Sequence, residues 1–309
     1  MITTVTLNPA VDKTLEIHGF KPGVVNRIQD SRVEAGGKGI NVSKVVKSLG
    51  ANTLTTGFVG GESGKWINQC LEDEGIQTDF VWINQETRTN IKIVDTEAGI
   101  ITDINDRGKR IEEVYLRELY YKIKQWAKIS KVMVFAGSIP EGLPNTIYND
   151  LIQIARNQGC KTILDAEGDR LLQGIDAKPY MIKPNIHELQ SSLKVKINDE
   201  KDVIYYCKSF INKGINFVVV SMGDKGALLV SDNQVLKAEV IPVEVKSTVG
   251  AGDSMVGAFS YGIMKNYQLK ETFKLAVAAA TLSVSKGTTL HQIHEIEEFK
   301  EQVEIKTLR

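Results

Sequence analysis

"STVGAGDSMVGAF" (residues 247–259) places Gly250, Ala251 and Gly252 directly ahead of Asp253 and the run Ser254 to Phe259. Three small residues in a row leave the backbone open, so its N–H groups can turn toward a ligand with no side chain in the way. The run that follows predicts the first turns of a buried helix. A helix N-terminus has unpaired N–H donors and the positive end of a dipole, so the junction suits an anion. Asp253 is then either the N-cap of that helix or a base held beside the anion, and the segment alone leaves both open.

Upstream of it, from about residue 130, the pattern is regular. "KVMVFAG" (131–137) predicts a buried strand, "NTIYNDLIQIARNQG" (145–159) a helix closed by Gly159, and "KTILDA" the next strand. "YMIKPN", the helices of "IHELQSSL" and "EKDVIYYCKSFINKG", and the strand "INFVVVSMG" (215–223) continue it; two helical stretches near 270–285 and 292–304 end the chain. Strands and helices alternating at these lengths predict βαβ units and a mostly parallel sheet covered on both faces, an α/β/α arrangement of three layers.

The first third differs. "MITTVTLN" and "NTLTTGFVGG" predict core strands flanking a helix (39–49) that stops at Gly50, but 13–18, 24–34, 90–95 and 99–104 are short strands with polar alternation. Short alternating strands within an α/β chain predict a small projecting sheet. We expect one unit over 1–309, carrying a discontinuous β-lid at about 11–34 and 88–106. A small sheet of this kind leaves an apolar face needing cover, which predicts a homodimer through the lid.

Lys plus Arg number 38 and Asp plus Glu 38, so the chain has no net charge and lacks the electrostatic footprint of a nucleic-acid binder. Cys70, Cys160 and Cys207 are far apart and fit neither a zinc ribbon nor a disulfide framework, which predicts buried thiols in a reducing compartment. The opening "MITTVTLNPAVD" has no basic n-region, and no apolar run approaches the ~20 residues of a membrane span. A cytoplasmic protein is the expectation.

"GGKGIN" (36–41) is the second glycine cluster, set where an extended segment meets a helix. Gly36 and Gly37 permit close backbone approach, with Lys38 and Asn41 facing the same way; Gly39 after the lysine rules out a P-loop. "VGGESGKW" (59–66) reads as a glycine-rich turn into a helix rather than a phosphate site. Asp12 in "LNPAVD" lies where open α/β sheets bind ligands, past the end of a strand, or is a turn residue after Pro9. In "KPNIHE" (183–188), Asn185 and Glu188 form a capping pattern, and "SMGDKG" (221–226) turns one strand into the next. His291 and His294 lack a third ligand nearby in sequence. Two glycine clusters at helix starts, a lysine, and aspartates at element ends together suit phosphoryl transfer, in which the protein positions an acceptor and stabilises spreading negative charge.

"AGGKGINVSKVVKSLG" and "STVGAGDSMVGAF" resemble the two signature regions of the PfkB, or ribokinase-like, carbohydrate kinases. "TVTLNPAVD", "IKPNIHEL" and "VSMGDKGALLV" resemble the branch that phosphorylates sugar phosphates, and the similarity runs through essentially the full chain. The resemblance implies Asp253 as general base, with Gly250, Ala251 and Gly252 presenting N–H groups to the transferred phosphoryl group. It implies sugar contacts from Asp12, Gly37, Lys38 and Asn41, and cations for the sugar's own phosphate from Arg88 and Arg27. ATP would lie along Lys183, Asn185, Ser221, Gly223, Gly226 and Thr248, with Ser285 near the adenine, and Glu188 would place Mg²⁺ largely through water. The implied reaction takes fructose 1-phosphate to fructose 1,6-bisphosphate, with tagatose 6-phosphate the rival acceptor. A sugar-phosphate sensor without catalysis is the rival from another class, though a binder has no need of a base. Two segments depart from the family pattern. "INDRGKRI" (104–111) bears on lid closure or sugar choice, whereas "DAEGDRL" (165–171) is expected to matter little.

Overall fold

The computed structural model describes residues 1–289 and 291–308. Its first third holds β1 (Ile2–Thr6), β2 (Ala10–Ile17), β3 (Ile28–Gly36), α1 (Lys38–Ser48), β4 (Thr53–Gly60) and α2 (Gly61–Asp73). Next come β5 (Gln77–Thr78), β6 (Val81–Ile83), β7 (Arg88–Asp95), β8 (Ile100–Ile104) and α3 (Glu113–Ala127). The regular stretch is β9 (Val132–Ala136), α4 (Ile147–Arg156), β10 (Lys161–Asp165), α5 (Asp169–Ile175), β11 (Met181–Ile182), α6 (Ile186–Leu193), α7 (Glu200–Asn212) and β12 (Phe217–Ser221). A hairpin of β13 (Ala227–Ser231) and β14 (Val235–Ala238) precedes α8 (Ala251–Lys265), α9 (Leu269–Lys286), α10 (Ile293–Gln302) and β15 (Ile305–Thr307).

The large sheet runs β15-β14-β13-β12-β11-β10-β9-β1-β4-β5, with β6 also on β4. Pairing is parallel from β12 through β5 and antiparallel among β12, β13, β14 and β15. Side chains alternate across it with a period of two. Val5, Phe135, Leu164 and Val218 face a layer built from α3, α4, α5, α6 and α7. Ile2, Val134, Ile163 and Val219 face Val45, Val256, Phe259 and Phe273 of α1, α8 and α9. Both faces are therefore dry, which is why β1, β4 and β9 are buried along their whole length. Thr4 Oγ1 lies 2.7 Å from Ser43 Oγ, whereas the buried hydroxyls of Thr6, Thr55 and Thr162 have no hydrogen-bond partner among the described residues. Three layers result, as the sequence pattern predicts.

A second, mixed sheet has the order β3-β2-β7-β8, parallel only between β2 and β7. Its strands differ in detail from the expectation. Asp12 belongs to β2 of this sheet, because the chain leaves the large sheet at Leu7–Pro9. β3 starts at Ile28 rather than near 24, since the Asn26 side chain ties back to Lys21 N at 2.9 Å and Lys21 O at 2.8 Å and holds 21–26 as a turn. The glycine-rich 59–66 segment does open a helix. Glu86 occupies its N-terminus, accepting from Glu62 N at 3.2 Å and Ser63 N at 2.5 Å, where a phosphate would otherwise sit. Among the described residues no helix is long and apolar enough to cross a membrane.

Helices α1 and α8 cross at Gly257. A Cβ there would stand 2.8 Å from Val45 Cβ and 3.2 Å from Val42 O, so only glycine permits this spacing. Gly257→Ala should lower stability by ~1–3 kcal/mol, the usual result of adding a methyl group to a closed core. A urea unfolding midpoint unchanged from the parent would show that the two helices separate freely.

Candidate active site

The C-terminal ends of β1, β9, β10, β11 and β12 open into one cleft of about 1030 Å³, the position at which open parallel sheets bind ligands. From the sequence-predicted residues it gathers Asp12, Gly37, Lys38, Asn41 and Arg88 on one side and Lys183, Asn185, Glu188, Ser221, Gly223 and Thr248 on the other. Gly250, Ala251, Gly252 and Asp253 also line it.

The junction at the start of α8 removes one of the two readings of Asp253, that of N-cap. Gly250 is the N-cap, at φ 82°, with no side-chain cap hydrogen bond. Asp253 is therefore free of capping, three residues into the helix, and its Oδ2 accepts from Asn41 Nδ2 at 2.7 Å. Burial, then the charge of Asp165, pushes its pKa up to about 7, against the Asn41 hydrogen bond and the charges of Lys38 and Lys183.

Asp165, at the end of β10, is the residue the sequence reading undervalued. Its side chain is 1% exposed and lies 3.3 Å from Lys38 Nζ and 3.8 Å from Lys183 Nζ. Burial alone would raise its pKa, but Lys183 and Lys38 outweigh burial and hold it below the usual carboxylate value. Lys38 in turn keeps its charge well above the usual range, chiefly through Asp165, with burial opposing and Glu188 at 3.6 Å adding to it. The Lys183 ammonium lies against Gly252, where a Cβ would meet it at 3.1 Å. Two cations thus stand beside the N–H cradle.

Asn185 and Glu188 form the expected capping box at α6: Asn185 Oδ1 accepts from Glu188 N, and Glu188 Oε2 from Asn185 N, each at 2.8 Å. On the other wall Asn90 Nδ2 donates to Asp12 Oδ1 at 2.8 Å, and burial raises the Asp12 pKa. Gly36 is required here because a side chain would overlap the Asp12 carboxylate. Arg88 donates to backbone carbonyls, from Nη2 to Asn8 O at 2.9 Å and from Nη1 to Asp106 O at 2.6 Å, with Nε on Asn8 O at 3.2 Å. The atypical 104–111 segment is thereby bound to the site; Asn8 Nδ2 also donates to Arg107 O at 3.0 Å.

Three expected residues are not on the cleft wall. Arg27 sits on the loop ahead of β3; Ser285 turns its hydroxyl to Leu282 O at 2.9 Å while Val284 lines the cleft; and Gly226 closes the turn behind Gly223, accepting from Met222 N at 2.8 Å. Asn8, Asn90 and Asp165 were missed. The signal for Asp165 was available, since it is a carboxylate at the end of a predicted parallel strand.

A three-layer α/β/α sheet with a mixed second sheet and a cleft at the C-terminal ends of its parallel strands is the ribokinase-like fold. Residues 4–295 match the model of the pfkB family of carbohydrate kinases, and the chain belongs to that family. It is 35% identical to a 1-phosphofructokinase of Bacillus subtilis (strain 168) over 100% of both chains. Over 99% of each it is 33% identical to a tagatose-6-phosphate kinase of Staphylococcus epidermidis. Phosphofructokinase-2 from Escherichia coli in complex with substrates and products superposes with a TM-score of 0.91 at 29% identity, over 97% of this chain and 98% of that one.

The pKa of Asp253 also makes a stability statement. A carboxyl at about 7 folded, against 3.8 for a free aspartate, binds its proton more tightly in the folded chain. Its contribution is complete below 3.8 and is lost as pH rises through about 7. Asp253→Asn, which can still accept from Asn41, should therefore melt above the parent at pH 8, with the difference shrinking toward pH 4. A lower melting temperature at pH 8 would mean that Lys38 and Lys183 make the ionised carboxylate a net stabiliser.

Proposed function

We propose that this chain transfers the γ-phosphoryl group of ATP to a hydroxyl of fructose 1-phosphate, giving fructose 1,6-bisphosphate and ADP. The observation that carries the reading is the placement of Asp253, a buried carboxylate of pKa about 7, next to the Gly250–Gly252 cradle. A base poised near neutrality takes the acceptor hydroxyl's proton as the new O–P bond forms and the bond to ADP breaks. Asn41 orients that base, and Lys38 and Lys183 complement the charge that spreads over the phosphoryl oxygens. A sensor would have no use for this pairing of base and cradle.

ATP lies along Lys183, Asn185, Ser221, Gly223 and Thr248, with Gly226 shaping the turn and Ser285 behind the wall. Mg²⁺ would be held on the same side through water: Glu188 Oε2 is fixed by the Asn185 N–H and Oε1 lies 3.6 Å from Lys38 Nζ, so the carboxylate would meet the ion's water shell rather than the ion itself. When bound, the ion would neutralise phosphate charge. Asp12 meets the sugar hydroxyls. Arg88, held by carbonyls through three of the five donors of a guanidinium, keeps two N–H groups for the sugar's phosphate. Arg27 would have to reach that phosphate from its loop. Preference for fructose 1-phosphate over tagatose 6-phosphate rests on the motifs "IKPNIHEL" and "VSMGDKGALLV". The free thiols Cys70, Cys160 and Cys207 suit the cytoplasm.

The deciding experiment measures ADP release with a panel of sugar phosphates and plain sugars. Fructose 1-phosphate should give the highest kcat/KM, with turnover rising as pH passes about 7 and falling ~10²–10⁴-fold in Asp253→Asn. Higher kcat/KM with tagatose 6-phosphate would move the assignment to that acceptor, equal use of fructose would end the phosphosugar reading, and no release with any acceptor would leave the sensor.

The small sheet carries exposed apolar side chains on β3 and β8, among them Ile28, Val33, Ile101 and Ile104. A second copy of the chain is the proposed cover. Light scattering at micromolar concentration should report twice the 34.2 kDa of one chain, and a monomer there would count against lid-to-lid assembly.

A further inference from the structure

The site is divided between two helices, since α1 carries Lys38 and Asn41 whereas α8 carries Asp253 and begins at the cradle. Their relative placement sets the 2.7 Å Asn41–Asp253 hydrogen bond. Ser254, the next residue after Asp253, turns away from the cleft, and its Oγ lies 2.6 Å from Ser283 Oγ on α9. Ser283 Oγ lies 2.9 Å from Ala279 O and 2.7 Å from Nε2 of His291, just ahead of α10. The backbone N–H of His291 points at Ser48 Oγ, 3.4 Å away at the end of α1, and that hydroxyl donates to Lys44 O at 3.0 Å. Ser254, Ser283 and His291 are all buried, the histidine 6% exposed.

Counting hydrogens gives the direction of each bond. Ser283 has one hydroxyl hydrogen, and Ala279 O, which can only accept, takes it. Ser254 and His291 must then both donate to Ser283, so the imidazole hydrogen sits on Nε2. Nδ1 is left as a lone pair, and it has no hydrogen-bond partner among the described residues. The other tautomer would bury an unpaired N–H donor instead, the costlier arrangement. Burial, followed by the charge of Lys286, lowers the His291 pKa to about 4, so the ring is neutral near pH 7.

We infer that His291 is a positioning residue for phosphoryl transfer. Its Nε2–H fastens the first turn of α8, through Ser283 and Ser254, while its backbone N–H ties the same point to the end of α1. Asp253 and Asn41 are thus held in register from behind the cleft. The inference rests on the reading of Asp253 as the base.

Two substitutions separate donation from space filling. His291→Leu keeps the volume and removes the donor; His291→Gln keeps an N–H at similar reach. The leucine variant should lose kcat ~10–100-fold, the scale of a misplacement approaching 1 Å, with KM for both substrates within about twofold of the parent. The glutamine variant should recover most of it. Ser283→Ala, which deletes a single hydroxyl and decides the matter should the leucine variant fail to fold, should match His291→Leu, and the double variant should be no worse than either. Parent kcat in His291→Leu or Ser283→Ala, equal losses in Leu and Gln, or an effect confined to KM would overturn the inference. Ring ¹⁵N shifts at pH 7 provide a measure independent of activity. The Nε2–H tautomer is expected, and an Nδ1–H tautomer or an imidazolium would overturn the inference. A parent protein inactive on every acceptor would strike at the kinase reading, with the tautomer still testing the network.

Discussion

Asp165 is a carboxylate sealed at the end of β10 with a lysine on either side, and the electrostatics of the whole cleft depends on it. A buried charge of this kind is costly unless paired, and breaking such a pair costs about 3–5 kcal/mol. Lys38 reaches Asp165 from α1, on the small-sheet side, and Lys183 from the segment after β11, on the far side. One anion therefore fixes two cations that would otherwise repel each other across the cradle. The same anion is the charged group that raises the Asp253 pKa, second only to burial. The Asp253 pKa and the placement of the two lysines are coupled through a single side chain.

That coupling explains what the sequence could and could not reveal. The Gly-Ala-Gly-Asp junction is legible because its logic is local: small residues, a helix start and an acid lie within four positions. The parallel sheet is legible for the same reason, since fully buried strands of five or so residues alternate with amphipathic helices. The strand-end position of Asp165 was legible, but its pairing with Lys38, 127 positions away, was not. The hold on Arg88 was not legible, because the carbonyls of Asn8 and Asp106 that take its guanidinium follow from the path of the backbone. The start of β3 was misplaced because the Asn26 side chain closes a turn over residues with good strand propensity. Glu188 engages Oε2 in the α6 cap and turns Oε1 toward Lys38 Nζ, 3.6 Å away.

The Asn41–Asp253 hydrogen bond joins residues 212 positions apart, so the site exists only when α1 and α8 are docked. The packing that docks them is strict. Gly257 lets the helices approach until Val45 touches the α8 backbone, and Val256 and Phe259 on α8 seal the sheet beneath. Close packing of this sort resists small displacements, so the Asp253 carboxylate on α8 keeps its distance to the Asn41 amide on α1. Polar ties at the helix ends add direction to that packing, which is non-directional by itself.

On the proposed reading, Asp253 must be dry enough to have a raised pKa and still be reachable by an acceptor. The two sheets divide that requirement. The large sheet and its helices supply the dryness, leaving Asp253 only 7% exposed. The small sheet supplies the reachable side: Asp12 and Asn90 stand on β2 and β7 facing the cleft, and the exposed strands β3 and β8 border them. An acceptor lying between Asp12 and Asp253 would displace water from both carboxylates, raising their affinity for protons further as it binds. An anionic phosphoryl group entering the cradle pushes in the same direction, while the α8 N-terminus and the two lysines push against it. The free protein holds Asp253 at about 7. Burial raises it, and the cations paired with Asp165 limit how far it rises.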